Sequence, residues 1–126
     1  MKKILICPPT AFDVLYAINT CMDLNNKPDK ALALKQWQNL YNTYIKLGVE
    51  VALIKQDKNL PDMVFTANAG IVNNNTFICS NFTPTERKPE EALFQKWFRE
   101  NGYDVKTLEN HQSGEGDALL LDDKLY

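Results

Sequence analysis

Apolar residues recur along the chain with two different spacings, and the changes between them mark out its elements. Trp37, Leu40, Tyr41, Tyr44 and Leu47 follow one another at threes and fours, the spacing that lines one face of a helix. Leu93, Phe94, Trp97 and Phe98 repeat the pattern. Asp29, behind Pro28, is placed to cap the first helix. Pro89-Glu90-Glu91 opens the second, with proline in the first turn and acids near the positive end of the helix dipole. A glycine ends each stripe, Gly48 and Gly102, suited to the left-handed residue that closes a helix. Strands are predicted at residues 2–7, at VEVALIK (49–55) and at YDVKTLE (103–109). Two hairpins are also predicted. AGIVNNNTFICS turns at Asn73-Asn74-Asn75, and DALLLDDKLY turns near Asp122-Asp123; Asn and Asp accept the positive φ of tight turns. Within LPDMVFTANAG (60–70), Met63 to Phe65 are expected to form the buried part of a further strand.

The elements repeat. Gly48-Val49-Glu50-Val51 aligns with Gly102-Tyr103-Asp104-Val105 at an offset of 54 residues. The repeating order is helix, strand, loop, strand, turn, strand. A period of about 50 residues belongs to modular architectures whose units cannot bury their faces alone. The expected organisation is an N-terminal strand and loop, unit one at about 30–82 and unit two at about 87–126, with the second unit breaking off at Tyr126 inside its hairpin. The alternative is an α/β sandwich of two similar halves.

Composition narrows the partners. The chain has 126 residues, 44% hydrophobic and 24% charged, an ordinary balance for one small domain. Net charge is −2 and the basic residues are scattered, so neither nucleic acid nor an anionic membrane is indicated. Ile4-Leu5-Ile6 is too short for a signal-peptide core or a membrane span. Cys7, Cys21 and Cys79 are odd in number and widely spaced, without a CxxC or HxxxH pair. Three free thiols in a reducing, cytoplasmic setting are expected, with no metal and no cofactor. CPPTAFD lacks the glycine pattern of a phosphate loop. Cys7 with His111 makes a weak nucleophile–base pair, because a cysteine ending an apolar strand is usually inert.

Polar groups collect at equivalent ends of the repeated elements: Asp62, Thr66 and Asn68 in one, Ser113, Glu115 and Asp117 in the other, with Asp13 and Asn19 near the N-terminus. Gly114 and Gly116 flank Glu115, and glycine permits tight turns and close approach of a ligand. An acidic, amide-rich site suits a cationic donor such as a guanidinium, a flat fork of N–H groups. Singly, each residue also has a plain reading: Asp62 as a turn former, Asn68 as a loop tie, Glu115 and Asp117 as solvated surface.

CPPTAFDVLYAIN, PDMVFTANAG and GEGDALL together resemble the amidinotransferase and dimethylarginine dimethylaminohydrolase family, guanidine-modifying enzymes of the pentein superfamily, over residues 4–125. The resemblance implies an α/β propeller of five repeated β-β-α-β units, of which this chain holds about two. It implies a cysteine that attacks the guanidinium carbon, a histidine acid/base and acidic residues on the substrate nitrogens. On the matching positions, Asp62 is the acid after proline that binds the guanidinium. Asn68 stands where relatives carry an acid or an amide. Asn19 and Met22 fall in an N-terminal stretch near the site, and Arg87 in TERKPE matches an arginine before the second helix. Asp117 falls on the Asp of the family's Phe-Glu-Gly-x-Gly-Asp. The catalytic glutamate of that motif falls on Ser113, and Glu115 takes its place only through a slip in register. Asn19-Thr20-Cys21 replaces the family's Asn-Pro-Trp. The family is about twice this length; its histidine and cysteine lie beyond Tyr126, and neither His111 nor the three cysteines match them.

The reading is therefore of a substrate-gripping N-terminal portion of an amidinohydrolase-type enzyme acting on arginine or methylarginine. Asp62, Asn68, Asn19, Asp117 and Arg87 are the binding residues and Glu115 the candidate catalytic one. The chain alone is expected to be inactive, and to associate with further copies of itself or with a complementary missing half. The alternative is a non-catalytic, self-associating binding module of the same fold, and a third is an α/β scaffold without a ligand.

Overall fold

The structure is a computed structural model that describes residues 3–121 and 124–126. It divides after Val64 into two compact units.

In the first unit, β1 (Lys3–Ile6) and β2 (Glu50–Leu53) pair in parallel, with Lys3 opposite Glu50 and Ile6 opposite Leu53. Parallel neighbours need a crossover, and α1 (Lys30–Lys46) supplies it. Its start is as predicted: Asp29 caps it, Oδ1 accepting from Leu32 N at 2.9 Å. Its end is a Schellman closure, Gly48 N donating to Ile45 O and Val49 N to Tyr44 O, with Gly48 at φ +71°. The face turned inward is narrower than the sequence stripe. Ala33, Trp37, Tyr41 and Tyr44 are half-buried, but Leu40 and Leu47 are exposed. Two strands about 5 Å apart make a narrow platform, so the flanks of the stripe stay outside. The core of this unit gathers at and beyond the strand ends, at Ile6, Cys7, Ile54, Leu60, Pro61 and Met63.

In the second unit, β3 (Gly70–Asn73) and β4 (Thr76–Cys79) form the predicted hairpin, with Asn74 in its turn at φ +53°. α2 (Lys88–Glu100) follows and returns to β5 (Asp104–Lys106), which pairs in parallel with β4. α2 closes as α1 does, Gly102 N on Arg99 O and Tyr103 N on Phe98 O. Phe94 and Phe98 are buried from its inner face, and Phe98 stacks on Phe77 of β4 with ring centroids 3.7 Å apart. A hairpin with aromatic pairs against a helix buries enough apolar surface to hold a short sheet. β6 (Leu120–Leu121) and β7 (Lys124–Leu125) are antiparallel; the turn expected at Asp122-Asp123 lies outside the described residues.

Two expectations change. The helix-first units at about 30–82 and 87–126 are not how the sheets group the chain. A hairpin, the helix after it and the next strand share one sheet, β3-β4-α2-β5, while β2 pairs with β1. Met63 to Phe65 are not strand: Pro61–Val64 and Thr66–Asn68 are 3-10 turns, and Phe65 is exposed. Local bonds account for this, with Met63 N on Leu60 O, Asn68 N on Phe65 O and Ala69 N on Thr66 O. They satisfy the backbone at i→i+3.

Candidate functional site

In the first unit the 3-10 turn at Pro61–Val64 carries Asp62 inward, 3% exposed. A buried carboxylate needs donors, and Tyr16 Oη donates to Asp62 Oδ2 at 3.0 Å. The turn is held by Gln56, itself buried. Gln56 Nε2 donates to Leu60 O and Pro61 O, while its Oε1 accepts from Ala11 N at 2.6 Å and Thr10 Oγ1 at 3.3 Å. One amide thus fixes the CPPT loop and the LPD turn together.

The other N-terminal candidates do different work. Asn19 is exposed, and its Oδ1 accepts from Cys21 N at 2.9 Å, an Asx turn. Met22 is half-buried beside it. Asp13 sits against Lys30 at 3.0 Å and Lys27 at 3.7 Å. The Lys30 hydrogen bond, helped by Val14 N–H and Lys27, holds its carboxyl below the usual range. Cys7 is buried, with Sγ toward Pro8 O.

In the second unit Asn68 ends the turn at Thr66–Asn68, half-buried. Its backbone is fixed by Asn68 N on Phe65 O and by Ser80 Oγ, which donates to Asn68 O at 2.6 Å. Arg87 Nη1 donates to Asn68 Oδ1 at 3.3 Å. Arg87 is itself buried, and forks onto Glu90: Nε to Oε1 at 3.1 Å, Nη2 to Oε2 at 2.9 Å. The Phe82 ring lies 4.2 Å beneath its guanidinium, a favourable cation–π position.

Gly114–Gly116 form a third 3-10 turn packed on this stretch. A Cβ at Gly114 would stand 2.4 Å from Ala67 O, and one at Gly116 would stand 3.3 Å from Asn68 Nδ2. Glycine is therefore required at 114, where φ is also +56°. Glu115 and Asp117 are exposed. Asp117 Oδ2 accepts from Ser113 N at 2.7 Å, closing the GEGD turn. His111 is exposed, with Nδ1 3.2 Å from Asn81 O.

The second unit thus brings together Asn68, Arg87 and the GEGD turn. Asp62 and Asn19 both belong to the first unit, Asp62 buried on its turn and Asn19 in an exposed one. The sequence reading missed Gln56, Tyr16, Phe82, Ser80 and Glu90. Glu90 had a signal, the (i, i+3) spacing from Arg87 that pairs opposite charges on a helix start. Gln56 had another: it continues the in–out alternation of Ile54 and Lys55 into the core. Among the described residues no group of three or more His, Cys, Asp or Glu could hold a metal ion, and no helix is long and apolar enough to cross a membrane.

Residues 3–125 match the model of the family described as N,N dimethylarginine dimethylhydrolase, eukaryotic. The chain belongs to the dimethylarginine dimethylaminohydrolase family. Within that family it is 35% identical to the N(G),N(G)-dimethylarginine dimethylaminohydrolase of Mycobacterium tuberculosis, over 98% of this chain and 41% of the relative. It is 45% identical to the bifunctional arginine dihydrolase/ornithine cyclodeaminase ArgZ of Synechocystis sp., over 94% of this chain and 17% of the relative. The crystal structure of the ArgZ N-terminal domain from the cyanobacterial ornithine-ammonia cycle, a cysteine-to-serine mutant bound to substrate, superposes with a TM-score of 0.84. The two are 41% identical, over 94% of this chain and 44% of that one. The chain thus spans less than half the length of these dimethylarginine dimethylaminohydrolase and arginine dihydrolase relatives.

Proposed function

We propose that this chain is the N-terminal, substrate-gripping portion of an amidinohydrolase-type enzyme acting on the guanidinium of arginine or a methylarginine. The observation that carries the reading is the buried Asp62 carboxylate, held on its turn by Gln56 and Tyr16. It sits in a chain that matches a guanidine-hydrolysing family from residue 3 to 125. A desolvated carboxylate is the natural acceptor for a planar fork of N–H donors. Asn68, Asn19 and Asp117 add polar groups, Arg87 joins through Asn68, and Glu115 on the GEGD turn is the proposed acid. The histidine and cysteine lie outside residues 1–126. The β3-β4-α2-β5 group is one unit of a five-unit propeller, and the compartment is the cytoplasm, in keeping with three free thiols.

Hydrolysis places a water oxygen on the guanidinium carbon and expels an amine, ammonia from arginine or dimethylamine from N,N-dimethylarginine. The test is amine release from both compounds by the chain alone, and by the chain mixed with the remainder of the ArgZ N-terminal domain. No turnover alone and turnover in the mixture is the expected result. Turnover by residues 1–126 alone overturns the claim that the nucleophile lies elsewhere.

A second reading, a self-associating module without catalysis, is favoured by the flanks of α1, where Leu34, Leu40, Ile45 and Leu47 are 45–72% exposed. Apolar side chains left exposed on both sides of a half-buried helix face are surface that a partner can cover. Sedimentation showing a monomer at high concentration excludes it.

A further inference from the structure

We propose that Asn81 is the positioning residue of the GEGD turn, the tether that sets where Glu115 and Asp117 stand. The inference deepens the reading above and rests on it for the identity of the ligand. Asn81 lies just past the end of β4 and is half-buried. Every polar group it has is engaged. Its backbone makes a two-way bridge with Gln112, each N–H donating to the other's carbonyl at 3.0 Å. Its Nδ2 donates to Leu108 O at 3.1 Å and to Glu109 O at 2.9 Å. Its Oδ1 accepts from Lys88 Nζ, and its carbonyl also lies 3.2 Å from His111 Nδ1. One residue thus spans the stretch 108–112 that leads into the turn.

The tether is single. Among the described residues, every hydrogen bond from 108–117 to the rest of the second unit runs to Asn81. The turn's other bonds are internal, Ser113 N to Asp117 Oδ2, Gly116 N to Ser113 O and Asp117 N to Gly114 O. They fix its shape and not its place. Both acids are exposed, so their placement toward a cationic ligand is that of the turn. The tether also has a polarity. A carboxamide accepts at one end and donates at the other, whereas an ammonium only donates. Lys88 therefore takes the oxygen and turns Nδ2 toward the two loop carbonyls. Lys88 is held on α2 by Glu91 Oε1 at 3.5 Å, an atom that also accepts from Phe82 N at 2.8 Å. The first turn of α2 thus reaches the GEGD turn through one side chain.

Two measurements test this. The first needs no ligand. The Gly114 α-protons should show nuclear Overhauser contacts to the Gly70 amide proton, because a Cβ at Gly114 would stand 2.9 Å from Gly70 N. Asn81→Asp keeps the shape and the acceptor for Lys88 but loses both donors. It should abolish those contacts and leave the Phe77–Phe98 ring contacts in place. Lys88→Glu touches neither loop carbonyl. It offers the amide an acceptor, draws Nδ2 away from the loop and should displace the turn as Asn81→Asp does. Lys88→Met offers neither donor nor acceptor and should change little. An asparagine that only fills space responds to neither change at Lys88. Gly114 contacts that are missing in wild type or survive Asn81→Asp overturn the proposal, as does Lys88→Glu behaving like Lys88→Met. If Asn81→Asp unfolds the unit, the Lys88 pair decides. The second measurement compares the calorimetric affinity of wild type and Asn81→Asp for arginine. Loss of the tether predicts about tenfold weaker binding, and unchanged or tighter binding overturns the role of Asn81 in the site. If wild type binds no arginine, the guanidine reading fails, and the Gly114 contacts still decide whether Asn81 places the turn.

Discussion

A Cβ on Gly114 would stand 2.4 Å from the carbonyl oxygen of Ala67, closer than real Cβ atoms approach. The GEGD turn and the turn carrying Asn68 therefore touch backbone to backbone. Gly114→Ala must relieve this overlap and also hold a side chain at φ +56°. The expected loss is on the order of 2–4 kcal/mol in urea unfolding. Gly48→Ala is the control, with φ +71° and nothing within 4 Å. It should cost only about 1 kcal/mol.

Glu90 neutralises a guanidinium that is itself buried, with side chains 0% and 8% exposed. Glu90→Gln leaves that charge without its partner, and a loss of about 3–5 kcal/mol is expected. The double change Arg87→Met with Glu90→Leu removes both charges and should recover most of it. Equal losses in the single and the double variant, by chemical denaturation, would contradict this role for the pair.

Tyr16→Phe withdraws a donor from buried Asp62. Stability should fall by about 1–3 kcal/mol. If Asp62 grips the guanidinium, Asp62→Asn should abolish measurable heat with arginine while leaving the helical circular dichroism intact.

The thiols should separate by environment. Cys21 is exposed, whereas Cys7 and Cys79 are buried, so at pH 8 a disulfide reagent should label one thiol per chain until the protein is unfolded. Burial pushes the Cys79 thiol from 9.0 up to about 11. The folded state thus holds this proton more tightly than the unfolded chain does. Its contribution is complete below about pH 9 and is lost as pH rises toward 11. Unfolding curves of Cys79→Ala should lack that part of the alkaline decline.

Asp29 caps a helix with no fully buried residue. Asp29→Ala should cost about 1 kcal/mol and reduce helical ellipticity before the β3–β4–β5 sheet is affected.

The helices and the first hairpin turn were legible in the sequence because their signals are local. Asp29, Pro89, Gly48 and Gly102 act within one turn of themselves, and both helix ends match. LPDMVFTANAG was misread as strand because a strand is decided by its neighbour. Met63-Val64-Phe65 has the composition of a strand, and the i→i+3 bonds of two turns satisfy its backbone instead. The candidate site divides the same way. That Asp62 and Asn68 carry the polar chemistry could be read from residue type and motif. That Gln56 braces one and Arg87 orients the other could not, because those contacts join residues up to 46 apart in the chain.

The parallel pairing of β4 with β5 sets the order in which the second unit can assemble. The β3–β4 hairpin closes through two residues and needs nothing further along the chain. Its third strand is reached only after α2 has been made, since Thr76 pairs with Asp104. Contacts that distant in sequence form late and slowly. During synthesis the hairpin will therefore wait, with Phe77 lacking its cover from Phe98, until the helix and then residues 104–106 leave the ribosome. A pause before that point leaves an uncapped, aromatic strand edge open to other chains.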